Sequence, residues 1–291
     1  MFHFFNHEFG NSGSRTHEYG TQAKIAVQHA REQVASVVEA SCDEVFFTSG
    51  ATESNNLAIL GLADELRRLN KTHIITTAIE HKAVLEPFEH LSQNGFTVSL
   101  LPVGESGAIN PSDIKKALRP TTGLVSVMQA NNETGVIQPL EEISAVLRDS
   151  DVFFHVDAAQ GFGKEIQSLR SKRIDLISIS AHKIYAPKGV GALIARRRGF
   201  VKSPIQPLAF GGGQERGLRP GTLPVPLIAG FGVAAQLALE NHKKRAARCL
   251  AIRRSALKAF EPLLPLFNGD QSCVLPHVLN ISIKGVDSEA V

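Results

Sequence analysis

Ser178-Ile-Ser-Ala-His-Lys-Ile-Tyr-Ala-Pro-Lys-Gly-Val-Gly-Ala-Leu193 is the stretch on which the reading of this chain turns. The apolar run 174–179 leads into Ser180-Ala-His-Lys183, and a proline and two glycines precede a second apolar run. This pattern predicts a strand, a loop bearing a lysine, and another strand. A lysine ammonium at the mouth of a buried strand is costly unless it is paired or put to chemical use. One use is a Schiff base, in which an imine replaces the amine. The other outcome is a side chain that snorkels to the surface. The stretch alone leaves both open.

Moving outward, short apolar runs at 45–48, 73–76, 97–101, 124–128 and 152–156 alternate with helical periodicity at 16–40, 50–68, 81–94, 111–118 and 139–148. Such alternation predicts an α/β fold, a mostly parallel sheet sandwiched by helices, with seven strands once the two around Lys183 are added. Residues 199–224 are rich in Gly and Pro and predict a long irregular loop. A helical pattern follows over 225–260, broken at Pro262 and Pro265, and then a last strand at 279–283.

The chain has 291 residues, 43% of them hydrophobic and 20% charged, enough for one large or two medium globular domains. A net charge of +3 is too small to imply a nucleic-acid partner. The basic run from Lys243-Lys-Arg245 to Arg253-Arg254 reads as the solvated face of a helix. Three cysteines (Cys42, Cys249, Cys273), odd in number and without paired spacing, suggest neither a disulfide framework nor a zinc site. No metal site is expected, although His3 and His7 could share a helix face as ligands; packing of the aromatic arm is the alternative. The start, MFHFFNHEFG, lacks the pattern of a signal peptide, and no apolar run is long enough to span a bilayer. A cytoplasmic protein with no membrane partner is the expectation.

Ligands of open α/β sheets bind at the carboxyl ends of strands, so the polar residues there are the candidates. Gly50, Ala51 and Thr52 open a helix after a strand. That position suits a phosphate, or an ordinary Thr cap. His81 follows the next strand and could stack on a planar ring, move protons, or simply start a helix. The amides of Asn131-Asn-Glu-Thr-Gly135 suit a phenolic oxygen. Asp157 ends an apolar strand, where its carboxylate could hold a pyridinium nitrogen protonated or cap the next turn. Gln160 lies three residues on. Ser180 and His182 flank Lys183 and could complete a phosphate cup. Phe210 to Thr222 offers glycines for close backbone approach, with Arg216 and Arg219 for anions. Each signal is modest, but one ligand can use them all.

In combination these segments resemble the cysteine desulfurases, class V and fold-type I enzymes that use pyridoxal 5'-phosphate (PLP). The matching segments are Gly10–His17, Thr48–Asn55, Glu80-His81, Asn131–Val136, His155–Gln160, Ser180–Lys183 and Gly211–Leu223. The resemblance implies Lys183 as the Schiff-base lysine, Asp157 on the pyridine nitrogen, Gln160 on O3′, and His81 stacked on the ring as a second catalytic group. It implies Asn132 near the substrate and O3′, with Ala51, Thr52, Ser180 and His182 on the phosphate. Thr222 would reach the phosphate of a partner subunit, so a homodimer is implied. It further implies L-cysteine as substrate, alanine as product, and a sulfur-acceptor protein serving iron–sulfur cluster, tRNA or DNA sulfur modification. The runs Lys183–Gly189 and Gly211–Thr222 resemble the branch for DNA sulfur modification. Other class V activities, an aminotransferase or a selenocysteine lyase, are the alternatives. So is an inert PLP-fold dimerisation or docking module.

The match has gaps. The family's opening Leu-Asp-Asn-Ala-Ala-Thr-Thr type segment is not found, and Val291 precedes the family's persulfide cysteine and carboxylate-binding arginine. The expectation is a chain truncated at both ends: an incomplete arm (1–15), a large PLP-binding domain (16–245) and the start of a small domain (246–291). None of the three cysteines takes the persulfide role.

Overall fold

The computed structural model describes residues 1–14 and 16–287; Arg15 of the Gly10–His17 segment lies outside them. In chain order the elements are α1 (Phe2–Asn6), α2 (Glu18–Val37), β1 (Val45–Thr48), α3 (Ala51–Leu60), α4 (Ala63–Arg68), β2 (His73–Thr77), α5 (Lys82–Gln93), β3 (Thr97–Leu101), α6 (Pro111–Ala117), β4 (Thr122–Met128), α7 (Leu140–Val146), β5 (Phe153–Asp157), β6 (Leu176–Ser180), β7 (Gly191–Ala195), α8 (Val225–Phe260), β8 (Leu266–Phe267) and β9 (Ile281–Ser282). β1 to β7 form one sheet in the order β1-β7-β6-β5-β4-β2-β3, and β8 pairs with β9. The sheet is parallel from β3 to β6, while β7 runs against both its neighbours.

Every residue of β4 and β6 is buried, as befits central strands covered on both faces, whereas β3 at the edge is half-exposed. Strand parity sorts the core. Val125, Val127, Phe154, Val156, Ile177 and Ile179 face α2, α7 and α8. Ile74, Leu124, Leu176 and Leu193 face α3, α4 and α5. Helix α8 approaches α2 closely because position 232 is glycine; a Cβ there would lie 2.6 Å from Ala30 Cα.

The reversed strand β7 decides where the site forms. Thr48 of β1 and Ser180 of β6 both pair with Gly191, so β1 and β6 end level with each other, one on either side of β7. A Cβ on residue 191 would meet Gly50 Cα at 2.6 Å and the Ile179 carbonyl at 2.4 Å. Only glycine lets the three backbones converge there.

Two details differ from the sequence expectation. The helix expected over 50–68 divides at Gly61-Leu62, where Gln206 N–H takes the Gly61 carbonyl (2.8 Å) and Ile205 packs on the glycine. A tertiary contact thus ends α3. The final strand is also shorter than expected, limited to Ile281–Ser282.

The Gly-rich loop is anchored rather than loose. Glu215 accepts a bidentate pair from Arg31 (2.6 and 2.8 Å) and the Phe47 N–H of β1 (2.7 Å). Arg31 also donates to the Val45 carbonyl, and both side chains are buried. Arg219 bonds Glu53 in the first turn of α3 (2.8 Å).

His155 lies within the sheet, between Ser126 Oγ (2.8 Å) and Ser178 Oγ (2.9 Å), and burial pushes its ring down to about 3. The unfolded chain binds that proton near pH 6.5, so this contribution to stability is present above pH 6.5 and is lost as pH falls towards 3. We expect the urea stability of the wild type minus that of His155→Gln to fall by about 1.4 kcal/mol per pH unit across that window. A pH-independent difference would refute the assignment.

Candidate active site

The loops after β1, β2, β4, β5 and β6 enclose a cavity of about 540 Å³. Lys183, His81, Ala51, Thr52, Asn132, Asp157, Gln160, Ser180 and His182 all line it. Thr222 does not; it lies exposed in the anchored loop, beside Gly221, whose N–H bonds Gln214 Oε1 (3.0 Å).

Each side chain is placed by its strand. Lys183 sits on a single helical turn, Ala181–Ile184, that caps β6 and ends at Tyr185 with φ +70°. Ser180 Oγ lies 3.0 Å from His182 Nδ1. Burial, and then the ammonium groups of Lys183 and Lys188, lower His182, so its ring is neutral at neutral pH. Across the cavity, no side chain among the described residues caps the first turn of α3, which leaves its N–H groups for a ligand. Burial opposes ionisation of Glu53, yet hydrogen bonds from Arg219 and Ser49 hold its carboxyl below the usual range.

Asp157 ends β5 at 5% exposure. It accepts from Asn55 Nδ2 (2.7 Å) and from Ala159 N–H (2.9 Å). Burial pushes its carboxyl up, against those two bonds and the nearby His81. No lysine or arginine pairs with it among the described residues. His81 caps α5, its Nδ1 accepting the Ala83 N–H (3.1 Å). That bond leaves Nε2 to carry the proton of the neutral ring.

Three contributors escaped sequence reasoning. Asn55 holds the Asp157 carboxylate from α3, one turn after Ala51, a spacing that puts both on one helix face. Lys188 adds a second ammonium to the cavity wall. Glu80, beside His81, lies buried against the strand ends.

The donor set fits pyridoxal phosphate. An uncapped helix N-terminus, Ser180, His182 and Lys188 suit a phosphate. A buried carboxylate without a cation suits a protonated ring nitrogen. An imidazole and a primary amine complete the wall. None of the three cysteines lines the cavity. Partial desolvation and the carboxylates of Asp270, Glu142 and Glu165 push the Cys273 thiol up. Among the described residues no group of His, Cys, Asp and Glu is arranged to hold a metal, and no helix is long and apolar enough to cross a membrane.

Comparison with known proteins gives one consistent result. The model of the aminotransferase class-V family matches residues 1–291. The chain is 45% identical to the mitochondrial cysteine desulfurase of Eremothecium gossypii, covering 100% of this chain and 59% of that protein. It is 46% identical to the cysteine desulfurase IscS of Rickettsia bellii, covering 71% of it. The chain thus spans about three fifths of the length of the mitochondrial relative. Among solved structures, DndA from Streptomyces lividans superposes with a TM-score of 0.94 at 53% identity, over 99% of this chain and 81% of that one. SspA in complex with cysteine gives 0.74 at 43% identity, over 80% and 66%.

Proposed function

This chain belongs to the aminotransferase class-V family, and from that premise we propose that it is the cofactor-binding part of a PLP-dependent cysteine desulfurase. The observation that carries the proposal is the gathering of Lys183, His81, Asp157 and the α3 N-terminus around one cavity. The likeness to the Rickettsia desulfurase and to the cysteine-bound SspA supports the substrate. When bound, PLP supplies an electron sink conjugated to the substrate α-carbon.

The chain's own groups divide the remaining work. The α3 N-terminus, Ser180 and His182 hold the phosphate and fix the ring's register. Asn55 and Ala159 N–H orient the Asp157 carboxylate towards a ring nitrogen and keep that proton in place. His81, with its Nδ1 engaged by Ala83 N–H, would offer a proton from Nε2 to the substrate or take one from it. Asn132 and Gln160 suit the ring's phenolic oxygen. Lys183 would supply the primary amine that holds the cofactor, from a turn at the end of β6 in the cavity wall. Residues 16–245 form the PLP-binding unit in this reading and 246–291 begin a smaller one; α8 bridges the two. A homodimer in which Thr222 completes the partner's phosphate site, a sulfur-acceptor protein, a cytoplasmic setting and the DNA-sulfur branch are parts of the same proposal.

The decisive assay supplies PLP, L-cysteine and a small thiol acceptor, then identifies the product. We expect alanine, with little persulfide on Cys42, Cys249 or Cys273. A keto acid would indicate an aminotransferase, and selenide release from selenocysteine alone would indicate a lyase. A folded dimer that takes no PLP would indicate a docking module.

A further inference from the structure

Glu80 is a buried ionisable group beside the site, with no part in the mechanism above. It is 6% exposed and sits where β2, β4 and β5 end. Its Oε1 accepts two hydrogen bonds, from Met128 N–H (2.8 Å) and from the Thr77 hydroxyl (2.8 Å). Its Oε2 is fully buried and has no partner among the described residues. No cation pairs with it among those residues, and the charged group that acts on it is another carboxylate, Asp157.

A carboxylate buried in that setting lacks both water and a counter-charge, and its ionised form is strongly disfavoured. The two donors on Oε1 mark that atom as the carbonyl oxygen, which leaves Oε2 as the site of a proton. Asp157 is as deeply buried and its carboxyl is also pushed up by burial, but it lines the cavity, receives one N–H donor on each oxygen, and has His81 nearby.

We propose that Glu80 is a positioning residue held as an un-ionised carboxylic acid, with its proton on Oε2. It ties β2 to β4 behind the cavity without adding charge, and so leaves Asp157 as the single carboxylate available to a protonated ring nitrogen. The second half of this statement rests on the PLP reading; the protonation state does not. Burial, reinforced by Asp157 and opposed by the two hydrogen bonds, pushes the Glu80 carboxyl up to about 8, in keeping with a neutral group at neutral pH.

The test is carbon-13 NMR of cofactor-free protein labelled at the glutamate side-chain carboxyl. We expect one resonance still un-ionised at about pH 6.5, two units above the ordinary glutamate range, and absent from Glu80→Gln. If every glutamate is ionised there, the proposal is overturned, and the wild-type spectrum decides this even if the variant does not fold. Glu80→Gln keeps the Oε1 acceptor and stays neutral, so we expect it to bind PLP within about threefold of the wild type. A folded Glu80→Gln that loses tenfold or more would show that a negative charge is needed and would overturn the proposal. Failure of both proteins to bind PLP, with the un-ionised resonance present, would remove the cofactor reading and leave the protonation assignment standing.

Discussion

Lys183→Ala yields a folded protein that PLP and borohydride no longer label, whereas in the parent the label maps to the Lys183 peptide. Folding is expected to survive because backbone holds the turn: Ala181 N–H bonds the Val190 carbonyl (3.2 Å) and Ala186 N–H bonds the Ala181 carbonyl (3.3 Å). The half-buried lysine side chain contributes little packing to that turn. Removing the amine from the cavity should lower product formation by about 10² to 10⁴-fold, the range for loss of a positioned catalytic group. Lys188 makes the mapping necessary, since it lines the same cavity. Label on the Lys188 peptide in the parent, or undiminished label in Lys183→Ala, would transfer the role. Loss of label without loss of the PLP phosphate contacts should appear as reversible binding on dialysis.

Glu215→Ala should be the most destabilising single change away from the cavity. It leaves the Arg31 guanidinium buried without a counter-charge and strips the acceptor from Phe47 N–H. Breaking one side of a buried pair costs about 3–5 kcal/mol, against about 1 kcal/mol for an ordinary substitution. Because Glu215 adopts φ +46° and Arg216 φ +58°, the pair also holds a strained turn against β1. Urea unfolding measures the loss. Adding Arg31→Met should restore much of it by removing the orphaned charge, though not the Phe47 acceptor. A double variant as unstable as the single one would place the cost in the loop itself. Thr222 shares this loop, so its position depends on a contact made at the far side of the first strand.

How much of this was legible beforehand follows from how local each feature is. Strand and helix periods are set by neighbours in sequence, and β1, β3 and α8 match the runs at 45–48, 97–101 and 225–260. The cavity residues were legible as a class because a parallel sheet delivers its strand ends to one edge. Thus His81, Asp157 and Ser180 each follow or end an apolar run and converge. The features missed depend on contacts between distant segments. Asn55 matters only because α3 lies over the end of β5, and Glu80 only because the Met128 N–H of β4 reaches its Oε1. Gly61 ends α3 only because residues 205–206 arrive there. No window of sequence contains both halves of such contacts.

The reversed strand β7 also bears on the order in which the chain can assemble. β6 and β7 are the one pair in the seven-stranded sheet joined as a hairpin, and the lysine turn is their connection. Hairpins close quickly because little chain must be gathered, whereas β1 waits for residues far along the chain before it can pair. The turn bearing Ser180 and Lys183 is therefore expected to form first, with the first turn of α3 joining it when β1 docks. During synthesis, completion of the cavity wall is then expected to wait on the most distant pairing of the sheet.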